Sequence, residues 1–194
     1  MPYKIIILIS LLCLSPNLFA DFRAGGEAYK QGDYETAAKE FLPLAKNGDH
    51  RAMYALGSMY SAGHGVTQDY TEAFKWFQRS AKYGRPDAEY KIGLLYLNGL
   101  GTEKDVRKAI NWFGRSAKKG YASAQFRLGE MYAAGLGIKQ DYTKAHAWLT
   151  IALEQGITDA KTTLDLVIAN LSPEQLKVAQ DLAQSYRDQY VTKQ

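Results

Sequence analysis

The sequence predicts an all-α fold, a right-handed α-solenoid of stacked antiparallel helix pairs with about ten helices, and three observations carry the prediction. Identical residues recur in steps of 36: Gly57/Gly93/Gly129, Tyr60/Tyr96/Tyr132, Asp69/Asp105/Asp141, Ala73/Ala109/Ala145 and Trp76/Trp112/Trp148. Within a step, apolar residues keep helical spacing, with Ala52, Leu56, Met59 and Tyr60 on one segment and Ala73, Trp76, Phe77 and Ala81 on the next. Glycine-rich turns separate the two segments, so each period reads as two helices that reverse on one another.

Residues 1–20 read as a secretory signal peptide. Lys4 precedes an apolar run from Ile5 to Leu14, then come Pro16 and Leu18-Phe19-Ala20, with cleavage expected after Ala20. The run is about half the roughly 20 residues that a membrane span needs, so no span is expected after signal removal. Leu18 fits the minus-three position less well than a small residue would, and other nearby cut sites stay open. The chain of 194 residues carries a net charge of +4 and a single cysteine, Cys13, inside this run. Leu12 stands before it, where a bacterial lipoprotein signal would need a small residue. The mature chain would therefore have no thiol, and its stacked core must supply the stability. No Lys/Arg cluster is dense enough to argue for nucleic acid. Periplasmic or secreted location and a monomer are expected.

Residues 21–48 carry a first, tetratricopeptide-like repeat: Gly26, Tyr29, Gly32, Asp33, Tyr34, Ala37, Phe41 and Ala45 reproduce the pattern with a shorter turn. Residues 49–156 hold three 36-residue repeats. Gly57 and Ala73 fall where two helix axes must cross closely, so a larger side chain there would force the axes apart. Asp69, Asp105 and Asp141 each precede a helical run and are expected to accept from its orphan N–H groups, and Glu72 would complete a capping box with Asp69. Gly63-His64-Gly65, Gly99-Leu100-Gly101 and Gly135-Leu136-Gly137 follow a helix instead of a strand. They are helix stops supplying positive φ, not phosphate loops. Gly84, Gly120 and Gly156 close the repeats, and Pro86 fits a first helical turn.

Residues 157–194 break the ladder. Thr158 to Asn170 reads as one helix, and Ser172-Pro173-Glu174-Gln175 opens another, running to about Arg187, with serine as N-cap and glutamine in capping-box position. These are expected to close the last apolar face.

With the repeat laid out, the motif Ala…Leu-Gly-x-x-Tyr-x-x-Gly-x-Gly…Asp-x-x-x-Ala-x-x-Trp-(Phe)…Ala-x-x-Gly resembles the Sel-1-like repeat, a relative of the tetratricopeptide repeat. The resemblance implies an α-solenoid adaptor without enzymatic activity, of a kind often exported by bacteria and engaged in envelope processes, signalling or contact with host proteins. Relatives with a disulfide in each repeat differ from this chain, which has no cysteine after Cys13.

His50, His64 and His146 occupy non-equivalent repeat positions with no histidine or carboxylate at i+4, so neither a metal nor a cofactor is expected. Ser116-Ala117-Lys118-Lys119 matches the Ser-x-x-Lys of serine β-lactamases, and some disulfide-bearing relatives are linked to β-lactam binding. Ser116 lacks the companion motifs and sits in a last helical turn, where the lysines complement the negative helix end. An envelope hydrolase or β-lactam-binding protein using Ser116, or a peptidoglycan-binding module, are the alternative readings. Trp76, Trp112 and Trp148 keep phase with buried alanines and are expected in the core, each worth about 3–5 kcal/mol against alanine.

The recognition surface is expected on the face of each first helix that does not pack within its repeat, a concave groove on tetratricopeptide-like geometry. That face includes Arg51, Tyr54 and Ser58, then Asp87, Tyr90, Leu94 and Leu97, then Phe126 and Glu130. Tyr54, Tyr90 and Phe126 are aromatic in each copy and so are also candidates for structural roles. Ser58, Leu94 and Glu130 differ in character between copies, as expected where packing does not fix identity. Such a lining suits a protein or peptide partner.

Overall fold

In the computed structural model, which describes residues 21–191, ten helices and no strands are present among the described residues. The signal peptide and Cys13 lie outside them. The helices are α1 (Phe22–Lys30), α2 (Tyr34–Lys46), α3 (His50–Ala62), α4 (Tyr70–Ala81), α5 (Pro86–Asn98), α6 (Val106–Ala117), α7 (Ala122–Ala134), α8 (Tyr142–Glu154), α9 (Ala160–Ile168) and α10 (Pro173–Tyr190). Consecutive helices pack on one another from α1 to α9, which is the connectivity of a solenoid of helix pairs.

Each pair closes on a glycine. A Cβ on Gly57 would stand 2.8 Å from the Phe77 ring, one on Gly93 2.6 Å from Phe113, and one on Gly129 2.5 Å from Leu149. The second helix of each repeat thus drives a large side chain into the space the first leaves open, which fixes how closely the axes cross.

The turns do two jobs. Gly63, Gly99 and Gly135 take φ near +70° and end their helices, with each N–H donating to the carbonyl four residues back. The second glycine also contacts the preceding pair: a Cβ on Gly65 would lie 2.1 Å from the Tyr34 carbonyl oxygen, and one on Gly101 2.1 Å from that of Tyr70. These are contacts between repeats, a role beyond chain reversal.

Asp69, Asp105 and Asp141 cap their helices through side-chain oxygens. The capping box expected at Asp69 is half formed. Its N–H donates to the Tyr60 carbonyl at 3.0 Å, and the Glu72 carboxylate takes Lys75 Nζ at 2.7 Å instead. The full box does form at Ser172 and Gln175.

Trp76 and Trp148 are buried, each in the core cluster of the preceding repeat. Trp112 departs from the expectation: it is only partly buried against Ala73, Phe77 and Ala81, with the Arg115 guanidinium 4.2 Å from the ring.

The C-terminal helices also differ. α9 is shorter than Thr158–Asn170, and its apolar Ala160, Leu164 and Val167 seal the last pair. α10 extends past Arg187 to Tyr190, and it folds back along α8 instead of pairing with α9. Tyr186 and Tyr190 lie 4.3 and 5.7 Å from the Trp148 ring, so the aromatic tail finds its apolar partner there.

Candidate functional site

The first helices α3, α5 and α7 each present partly exposed aromatic or aliphatic side chains. Tyr54 and Tyr90 each rest on the ring that fills the glycine gap of their own repeat, Phe77 and Phe113, at centroid distances of 5.6 Å. Phe126 packs in the cluster of Leu149. These three are therefore partly structural, with one edge in the core and one towards solvent. Leu94 and Leu97 are half-buried against the cluster of the following repeat.

Arg51, Tyr54 and Ser58 come together in one hollow of about 550 Å³ between α1 and α3. Sequence reasoning missed its other wall, made by Phe22, Gly26, Tyr29 and Phe41 of the first pair and by Arg85. The phase gave a signal for one of these: Arg85 stands 36 residues after the N-cap Asp49. Glu130 lies elsewhere, in a separate hollow of about 450 Å³ against α9, and it pairs with Arg127 at 2.8 Å. The expected face is thus brought together at its first repeat and divided at its last.

Paired charges hold the rim of the first hollow. Arg51 Nη2 binds Asp49 at 2.7 Å while its guanidinium lies 4.5 Å from the Phe22 ring centroid. In the next repeat the signs are exchanged: Arg85 pairs with Asp87, and its guanidinium sits 5.1 Å from the Tyr54 ring. The hydrogen bonds from Arg51 hold the Asp49 carboxyl down to about 2, and burial, with the Asp87 charge second, pushes the Tyr54 phenol up to about 12. Tyr54 is therefore a neutral hydroxyl at any physiological pH, and the rim offers planar guanidinium faces already oriented by their partners.

Ser116 does not line a site. It is fully buried and its hydroxyl donates to the Pro86 carbonyl at 2.6 Å, as Ser80 donates to His50 at 2.8 Å one repeat earlier. Lys119 does not serve the helix end as expected: its Nζ donates to Glu89 Oε1 at 2.9 Å and the Gly84 carbonyl at 3.1 Å. Glu89, wholly buried, also takes Arg115 at 2.7 Å. The three histidines are dispersed. His64 stacks on Tyr34 at 4.2 Å, His50 approaches Arg85, and His146 is buried under α10. Among the described residues no cluster of histidine, cysteine or carboxylate could hold a metal ion, and no helix is long and apolar enough to cross a membrane.

Stacked helix pairs with an open, laterally accessible face define an α-solenoid repeat protein. Sel1 repeats match residues 50–84, 86–121 and 122–157, more than half of the chain, and the protein belongs to the Sel1 repeat family. Members generally act as protein-interaction scaffolds. Among solved structures it resembles a Sel1 repeat protein from Oxalobacter formigenes, with 27% identity and a TM-score of 0.71 over 75% of this chain and 60% of that one. It also resembles a protective antigen present in uropathogenic Escherichia coli strains that displays an SLR fold, with 25% identity and a TM-score of 0.62 over 87% of this chain and 45% of that one. The chain thus spans less than two thirds of either relative's length. No curated protein sequence matches it.

Proposed function

We propose that this protein is an exported, non-enzymatic adaptor that binds a peptide or protein segment through its first-helix face, in the periplasm or outside the cell. The leader-like residues 1–20 support export. The hollow between α1 and α3 is the observation that carries the binding reading, because aromatic floors rimmed by oriented arginines are what protein interfaces use as anchor pockets. From it the row of Tyr54, Tyr90, Leu94, Leu97 and Phe126 continues along the solenoid, which suits an extended ligand segment.

Gly26 provides the test. A Cβ there meets no atom within 4 Å, so the glycine is not required by packing, and a larger side chain would point into the hollow while improving the helix by about 1 kcal/mol. A photo-crosslinking side chain at Ser58, used in the native envelope, is expected to capture a defined protein, and Gly26→Leu to abolish that capture without lowering Tm. Unchanged capture by Gly26→Leu would count against the hollow. Cell fractionation checks the export.

A further inference from the structure

The second helices form another face, and on it lies a cleft of about 380 Å³ between α4 and α6. Trp112 forms its floor, with Lys75, Gln78, Arg79, Lys82 and Arg115 around it. Lys75 is matched by Glu72 and Arg115 by Glu89. Arg79, Lys82 and the neighbouring Lys118 make no ion pair among the described residues; Arg79 only stacks on Trp76, at 4.6 Å. The rim is therefore cationic beyond what the chain itself neutralises.

One repeat further on, the equivalent tryptophan is covered. There Trp148 takes the place of Trp112, Ile151 that of Arg115 and Glu154 that of Lys118, each by a shift of 36. α10 packs along α8 there, with Tyr186 and Tyr190 on the indole, and Arg187 Nε donates to Glu154 at 2.8 Å. Trp148 is only 4% exposed, while Trp112 is partly exposed. The chain thus displays what covers such a tryptophan: an amphipathic helix with two aromatic residues four apart, and between them in sequence a charge opposite to that at the Glu154 position.

We propose that the α4–α6 cleft docks an amphipathic helix of a partner protein, seated as α10 is seated on α8, but bearing a carboxylate where α10 bears Arg187. The cationic Lys118 position selects that sign, and Lys82 and Arg79 extend it. A recessed indole behind a raised rim accepts an inserted side chain, whereas a flat lipid surface would meet the rim alone. A second copy's α10 would set Arg187 against Lys118 and is disfavoured for the same reason.

The test uses the chain from residue 21 onwards and two synthetic peptides of residues 173–191, one unaltered and one carrying Arg187→Glu. The altered peptide is expected to bind at least tenfold more tightly in low salt, with a change in tryptophan fluorescence. Lys118→Glu in the protein should reverse the preference, and Arg79→Ser with Lys82→Ser, both on exposed side chains, should weaken the altered peptide at least tenfold with an unchanged circular dichroism spectrum. Absence of binding, equal binding of the two peptides, or a preference that survives Lys118→Glu would overturn the proposal. So would charge-dependent binding to phosphatidylglycerol vesicles with no peptide preference, which would assign the patch to a membrane. Gly26→Leu is expected to leave peptide binding intact, so this surface and the first-helix face stand or fall separately.

Discussion

Gly65 lies so close to Tyr34 that a methyl group on it would be 2.1 Å from the tyrosine's carbonyl oxygen. The glycine sits in the turn after α3 and the tyrosine opens α2, so this one contact sets the distance between the N-terminal pair and the next. Gly101 and Tyr70 repeat it one step later. Backbone meets backbone in both cases, and a side chain could not yield.

The two glycines of the first two turns should therefore differ in cost. Gly63 needs only its left-handed φ of 73°, and its nearest obstacle is the Gln68 Cβ at 3.3 Å, so Gly63→Ala is expected to lose about 1–2 kcal/mol. Gly65→Ala adds a collision with fixed backbone and should lose about 2–5 kcal/mol. Urea denaturation of the two variants compares them, and equal losses would show that the contact between pairs is soft.

The tryptophans should also separate, although the ladder treats them alike. Trp148→Ala and Trp76→Ala remove buried rings, Trp148 enclosed by the preceding repeat together with α10, at a cost of about 3–5 kcal/mol each. Trp112→Ala removes a partly exposed ring and should cost less, about 1–3 kcal/mol, since part of its surface is already hydrated. Thermal or chemical unfolding of the three variants gives the order, and a Trp112 loss matching the others would mean that its outer face is covered in solution.

His146 supplies a pH dependence. It is buried between α8 and α10, near the Ala179 backbone, and burial lowers its pKa below the ordinary value of about 6.5. The folded state therefore prefers the neutral ring. Its contribution is fully present above about pH 6.5 and is lost as the pH falls from there through the lower folded pKa. α10 docking, followed by hydrogen exchange in α10, is expected to weaken as the pH falls below about 6.5. His146→Gln should flatten that profile, and a profile unchanged by the substitution would place the titration elsewhere.

The periodicity determined much of this protein without coordinates. Helix pairs, their aspartate caps, the glycine–ring crossings and the half-structural Tyr54, Tyr90 and Phe126 are all consequences of local spacing, which recurs because each pair meets the same neighbour. What the ladder could not assign were contacts made outside its phase. Whether Trp112 is covered depends on where α10 goes, and α10 goes to α8 because Trp148, Ile151 and Glu154 there match Tyr186, Tyr190 and Arg187. Phe22 and Arg85 face one another across a hollow only once α1 and α3 are side by side, and Glu89 finds Arg115 and Lys119 across 26 and 30 residues. Repetition specifies what each unit does with the next, whereas the ends and exposed faces are decided by which side chains the stacked chain carries into reach.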